Sequence, residues 1–327
     1  MKIVFLDAST VGDTPLDEIS ALGELVCYAT STHEEALHRV RDCEVLIINK
    51  IIVDTELIAA APALRLICEA ATGVNNIDLK AAAARGIPVK NVAGYSTDSV
   101  VQETFMHILS LAGNGPYFDT FVKDGSYSAS TIFTDLSRPF YELTGKTMGI
   151  IGLGTIGSKV ARVAEAFGMK VIYYSTSGTS HNKDYPSVPI DELMRTSDVI
   201  SIHAPYNEHT AGLVGARELA LMKPTAFIVN AGRGGIVDEA ALAQAVDEGR
   251  IGGAALDVYV REPLPADNPL LHTRHPEKLR FTPHTAWASV EARARLVSAI
   301  AANIRETFAY AFLPTLEALW IKLFPIS

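Results

Sequence analysis

Three polar side chains in the second half of the chain could do chemistry together. They are Arg233 in Asn230-Ala231-Gly232-Arg233-Gly234-Gly235, Glu262 in Asp257-Val258-Tyr259-Val260-Arg261-Glu262-Pro263, and His284 in Thr282-Pro283-His284-Thr285-Ala286-Trp287. An arginine fork binds a carboxylate at two points. A histidine paired with a glutamate has its protonated form favoured, which makes it a competent acid for a developing alkoxide. Each has a plainer reading alone: a lone histidine is more often structural, and Glu262 could be a surface residue. Position joins them, because each follows an expected strand and open α/β sheets place their ligand crevice beyond the strands' carboxyl ends.

Upstream, Gly149-Ile150-Ile151-Gly152-Leu153-Gly154-Thr155-Ile156-Gly157 sets GxGxxG directly after an expected strand and at the opening of a helix. A bare GxGxxG says little; strand, glycines and helix in that order are fairly specific for a dinucleotide. Gly152 permits the tight turn, Gly154 lets the backbone approach a pyrophosphate, and Gly157 lets the helix lie close on the sheet. The phosphates then meet free N–H groups at the helix N-terminus. The plainer reading is a glycine turn without a ligand. Dinucleotide sites usually end the next strand with an acid for the adenosine ribose, but Val171-Ile172-Tyr173-Tyr174 is followed by Ser175. A small hydroxyl leaves room for a 2′-phosphate, yet no adjacent Arg is present to grip one. The expectation is NAD or NADP, leaning to NAD.

The elements that must carry these residues alternate along the whole chain, short β-branched runs with helical patterns, the rhythm of parallel sheets covered by helices. Strands are expected at 2–6, 45–48, 64–67 and 89–92, with a helix at 79–85 stopped by Gly86. A second series follows Gly145: strands 147–151, 170–174, 199–203, 226–230 and 253–258, and helices 155–167 and 239–248. Between the two series, Ser99 with Gln102 matches a capping box opening a helix over 100–111. Residues 113–144 read as an irregular arm, either a solvated loop or a subunit contact. A last helix is expected at about 290–312, followed by an apolar tail with Leu319, Trp320, Leu323 and Phe324.

With 48% hydrophobic and 20% charged residues among 327, the chain can bury a sizeable core and is not disordered. Its 28 basic against 37 acidic residues give a net charge of −9, and no run of five basic residues occurs, which argues against nucleic acid or an anionic membrane as partner. Three cysteines without CxxC spacing point to neither a disulfide framework nor a metal site. Met1 to Leu6 is too short for a signal-peptide core, and no run reaches the roughly 18 apolar residues of a span. A cytoplasmic protein is expected.

These motifs resemble the D-isomer-specific 2-hydroxyacid dehydrogenase family over about residues 40–310. The resemblance rests on the glycine fingerprint, Ser201-Ile202-His203-Ala204-Pro205, Leu221-Met222-Lys223-Pro224, the Arg233 turn with Val237-Asp238, Ala255-Leu256-Asp257-Val258 with Glu262-Pro263, and Pro283-His284. It implies two doubly wound parallel-sheet α/β domains with a cleft between them. These would be a flavodoxin-like substrate domain (1–98 and 291–327) and a Rossmann cofactor domain (99–290). It implies Arg233, Glu262 and His284 as the catalytic set, and no metal. Cofactor contacts would come from Gly152, Gly154 and Gly157, from Thr155 and Ile156 at the phosphates, from Ser175, and from His203, Ala204, Pro205 and Thr210 on the adenosine side. Ala231 and Gly232 with Arg233 would meet the nicotinamide riboside region, and Asp257 the carboxamide.

Ala71-Thr72-Gly73-Val74-Asn75-Asn76-Ile77-Asp78 looks like the family loop that holds the substrate carboxylate, so Thr72, Gly73 and Val74, with Asn49 and Tyr95, are the further substrate residues. These segments look most like the glycerate dehydrogenase (hydroxypyruvate reductase) branch. The implied reaction is hydride transfer to C2 of a small 2-oxo acid by a homodimer. A D-lactate dehydrogenase is the second enzyme reading. A nicotinamide-sensing protein resembling the C-terminal-binding corepressors is a third, opposed by the absence of a recognisable peptide-docking feature. A formate dehydrogenase is expected to carry Gln where Glu262 stands.

Overall fold

Runs such as Val45-Leu46-Ile47-Ile48, buried at every position, suit strands covered on both faces, and every strand pair among the described residues is parallel. The computed structural model describes residues 1–179 and 182–312, with side chains to residue 309. The apolar tail with Leu319, Trp320, Leu323 and Phe324 lies outside them. The chain divides into two compact units: Met1–Ser96 with the segment from Ala288 on, and Thr97–Trp287. Among the described residues no helix is long and apolar enough to cross a membrane.

In the first unit β1 (Lys2–Phe5), β2 (Glu24–Cys27), β3 (Val45–Ile48), β4 (Leu66–Glu69) and β5 (Val89–Lys90) lie in the order β2-β1-β3-β4-β5, the flavodoxin-like arrangement. Helices α1 (Asp17–Ser20), α2 (His33–Arg39), α3 (Thr55–Ala60) and α4 (Leu79–Ala84) alternate with them. Asp54 and Asp78 cap α3 and α4 by accepting from first-turn amides. Gly86, at φ 66°, follows α4 where a stop was expected. The edge strand β2 was not expected; its apolar run Leu25-Val26-Cys27 is short, and none of its residues is fully buried. The helix Val290–Phe312 packs against α1 and β4, and its Ala292, Leu296, Ile300 and Ile304 are buried.

The second unit opens with α5 (Thr97–Gly113) and α6 (Gly115–Lys123). Ser99 is the third helical residue of α5, so the expected capping box does not form its start. The expected irregular arm contains α6, entered through a left-handed Asn114 (φ 49°) and Pro116 in its first turn. None of the α6 residues is buried, although Tyr117, Phe118, Phe121 and Val122 recur at helical spacing.

The sheet comprises β6 (Thr147–Ile151), β7 (Lys170–Tyr174), β8 (Val199–Ile202), β9 (Phe227–Asn230), β10 (Gly253–Leu256) and β11 (Leu279–Phe281). It is covered by α5 together with α7 (Thr155–Ala166), α8 (Ile190–Thr196), α9 (Ala216–Leu221) and α10 (Glu239–Asp247). Its order is β11-β10-β9-β8-β6-β7. Beyond β7, one parallel bridge, Tyr173 with Ser187, stands where a further Rossmann strand would lie. The strand order therefore switches direction at β6, and the glycine turn leaves from its carboxyl end.

Candidate active site

Gly152 takes φ 91°, a region that side chains avoid, and a Cβ there would lie 2.8 Å from the Ala204 backbone. A Cβ on Gly157 would lie 2.3 Å from Gly152 O, so this glycine lets α7 close onto the turn. Gly154 differs, because a Cβ there meets no protein atom within 4 Å. Among the described residues nothing demands that glycine, and the backbone there is open to the approach of a ligand. Gly154 also gives α7 no side-chain cap, which leaves the first-turn N–H groups facing outward with the positive end of the helix dipole. Ile156 packs on Val100, Ala231 and Ala286, so the glycine turn, α5 and the loops after β9 and β11 share one small apolar cluster. Turn and helix start together fit a dinucleotide.

The three reactive side chains follow β9, β10 and β11, neighbours in the sheet, and so stand along one carboxyl edge. Asn230 shapes the first loop: its Oδ1 accepts from Gly232 N (3.0 Å) and its Nδ2 donates to Arg233 O (2.9 Å). A Cβ on Gly234 would overlap Tyr259 O at 1.9 Å, which shows how tightly the loops after β9 and β10 pack. Arg233 is exposed, donates to Gly232 O (2.8 Å) and forms no ion pair among the described residues. Its guanidinium is available to an external anion.

Glu262 accepts from Tyr259 N through Oε1 (3.0 Å), and its Oε2 lies 2.6 Å from His284 Nδ1. This contact turns His284 Nε2 away from Glu262, and Nε2 has no hydrogen bond among the described residues. His284 sits at φ 56°, unusual for a residue with a side chain, and Asp257 holds it there. Asp257 O accepts from His284 N (2.8 Å), while the carboxylate accepts from Thr285 N (2.7 Å) and Ala286 N (3.0 Å). Burial and the neighbouring Glu103 carboxyl push Asp257 above the usual carboxylate range.

A family model described as the NAD-binding domain of D-isomer-specific 2-hydroxyacid dehydrogenases matches residues 105–286. The chain belongs to the D-isomer-specific 2-hydroxyacid dehydrogenase family. Among its relatives, a glycerate dehydrogenase of Methylorubrum extorquens is 36% identical over 93% of this chain and 95% of its own length. A hydroxypyruvate reductase of Blautia hydrogenotrophica is 34% identical over 94% and 96%. The solved D-lactate dehydrogenase of Aquifex aeolicus, complexed with NAD and lactic acid, superposes with a TM-score of 0.81 at 27% identity, covering 96% of each chain. The protein is thus an NAD(P)-dependent oxidoreductase acting on the CH–OH group of 2-hydroxy acids.

Within this dehydrogenase the remaining expected residues divide. Thr155 and Ile156 open α7, and Ser175 directly follows β7. Ala204 is buried against Gly152, and Pro205 is exposed. Thr210 is wholly buried: its hydroxyl donates to Pro205 O (2.7 Å) and accepts from Asn207 N (2.8 Å). It therefore closes its own loop instead of presenting a group to a ligand. His203 is likewise turned inward, with Nε2 2.8 Å from Ser201 Oγ and a buried Nδ1 that has no hydrogen-bond partner among the described residues; burial pushes its pKa down to about 4.

Asn49, Thr72, Gly73, Val74 and Tyr95 all lie in the first unit, around the ends of β3, β4 and β5. Sequence reasoning missed Asn230, and it missed Glu103 and Thr282, whose hydroxyl sits 2.7 Å from Glu103 Oε1 and 2.8 Å from Asp257 Oδ1. It also missed Glu239, which accepts from Val260 N (2.7 Å) and Asn268 Nδ2 (2.6 Å). Their only signal was a polar residue inside or beside an apolar run.

Proposed function

We propose that this dehydrogenase reduces a small 2-oxo acid, hydroxypyruvate or glyoxylate before others, to the D-2-hydroxy acid. The observation that carries the reading is the 2.6 Å pairing of Glu262 with His284 on the sheet edge that also bears Arg233, a cation without an acidic partner among the described residues. Arg233 binds the substrate carboxylate and polarises the ketone. His284 gives its Nε2 proton to the ketone oxygen, and Glu262 orients the ring and favours its charged form. When bound, the nicotinamide supplies the hydride. Asn49, Thr72, Gly73, Val74 and Tyr95 complete the substrate set. The names of the glycerate and hydroxypyruvate relatives support this substrate pair. The D-lactate dehydrogenase neighbour supports pyruvate as the second reading.

NAD is the preferred nucleotide in this reading: although Ser175 offers no acid to repel a 2′-phosphate, Thr176, Ser177 and Gly178 after it offer no Arg to hold one. The protein acts as a homodimer. Ile132, Phe133, Leu136 and Phe140, all in one arm, are between 61% and 89% exposed, an apolar surface that a second copy would cover. The test is oxidation of NADH and NADPH with hydroxypyruvate, glyoxylate and pyruvate in turn. The highest kcat/KM is expected with NADH and one of the first two acids; a preference for pyruvate moves the assignment to the second reading, and a strict need for NADPH overturns the choice of nucleotide.

A further inference from the structure

The carboxyl edge of the first sheet rests on two buried acids. Asp7, two residues past β1, accepts from Asn49 N (3.0 and 3.1 Å) and Lys50 N (2.6 Å). Glu69, the last residue of β4, is fully buried at the end of the apolar run Leu66-Ile67-Cys68. Its Oε2 accepts from Asn76 Nδ2 (3.1 Å), and the same amide donates to Ile51 O (3.0 Å). Asn76 thereby ties loop 70–78 to loop 49–51, with Glu69 beneath it. Glu69 Oε1 is buried with no hydrogen-bond partner among the described residues. A carboxylate in that position would keep one charged oxygen unsatisfied, at a cost that the neutral acid avoids.

We propose that Glu69 is a positioning residue which, as the uncharged acid, holds loop 70–78 in the form that receives the substrate carboxylate, so that its ionisation weakens substrate binding and leaves the chemical step alone. The proposal rests on the assignment of that loop to the substrate. An anionic Glu69 beneath the loop would repel an anionic ligand as well as disturb Asn76. The surroundings favour the neutral form: burial, reinforced by Asp7 and opposed by Asn76 and Lys50, pushes Glu69 up to about 8. Other charged groups of this unit are engaged elsewhere. On β5 Lys90 pairs with Glu306, while on the C-terminal helix Arg295 donates to Tyr95 O and Arg293 pairs with Asp13.

The experiment is the pH dependence of kcat and KM for hydroxypyruvate, glyoxylate and pyruvate in the wild type and in Glu69→Gln, which keeps the shape and cannot ionise. In the wild type KM should climb by up to about tenfold per pH unit above about pH 8, at a kcat that follows the same curve in both proteins. In Glu69→Gln the climb in KM should vanish. Asn76→Ala should raise KM at every pH and move the inflection upward, because the amide that opposes the upward shift of Glu69 is gone. Identical KM profiles in wild type and Glu69→Gln, with turnover intact, overturn the proposal and spare the assigned reaction. If none of the three acids is turned over, the assigned reaction fails by itself, and denaturant unfolding decides on Glu69. A wild-type midpoint that falls relative to Glu69→Gln as pH rises from about 4.5 toward about 8, and levels off above it, supports the neutral buried acid, and parallel midpoints overturn it.

Discussion

His284 combines a left-handed backbone with a side chain fixed on one nitrogen, and both features trace to acids behind it. Asp257 spends its carbonyl and both carboxylate oxygens on residues 284–286, and Glu262 orients the ring. His284→Ala should lower kcat by about 10²- to 10⁴-fold while leaving nucleotide affinity nearly unchanged, as fluorescence titration with NADH would show. Near-normal turnover in that variant would remove the acid role. Arg233→Ala should also raise KM, with a combined loss of at least about 2 kcal/mol in kcat/KM, because a charge-assisted contact to the substrate disappears.

His203 carries a prediction of a different kind. Its folded value lies below the ordinary 6.5, so the stability it contributes is fully present above about pH 6.5 and is lost as pH falls toward about 4. Up to roughly 3 kcal/mol should go in that window. His203→Gln should flatten the acid side of the unfolding profile; an unchanged profile would mean that the ring is hydrated in solution.

Among the elements, the turn between β6 and α7 separates folding from binding within three glycines. Gly152→Ala places a Cβ 2.8 Å from the Ala204 backbone at φ 91°, so thermal denaturation should show a marked loss of stability along with the loss of nucleotide. Gly154→Ala meets no protein atom, so its Tm should hold while NADH affinity falls. Equal effects of the two substitutions on Tm would show that Gly154 serves the fold and not a ligand. The same logic explains which elements could be read in advance. Strand β6 and helix α7 carry their apolar residues into the core, whereas no residue of β2 or α6 is buried, although both hold apolar residues. Ser99 failed as a cap because a capping motif states only local compatibility, and α5 begins two residues earlier.

For the whole molecule, the arm poses the clearest question. Phe133 and Leu136 are 89% and 84% exposed. Replacing both with Ser should shift the protein from dimer to monomer in light scattering coupled to gel filtration, with a folded circular dichroism spectrum retained. A wild type that is already monomeric would end the homodimer proposal.

The α/β class, the alternation of strand and helix, the glycine turn and the positions of Arg233, Glu262 and His284 were legible because each is written in contiguous residues: periodicity, a short motif, a side chain just past a strand. The strand orders β2-β1-β3-β4-β5 and β11-β10-β9-β8-β6-β7 set which strand ends become neighbours. They place Glu69 beneath Asn76 and Asp257 behind His284, contacts between residues 7 and 27 positions apart. They also turn Thr210 and His203 inward, although both sit in motifs that read as ligand contacts. No local pattern encodes such relations, because burial and hydrogen-bond partners are properties of segments brought together by packing, and the charge state of a buried acid follows from those partners.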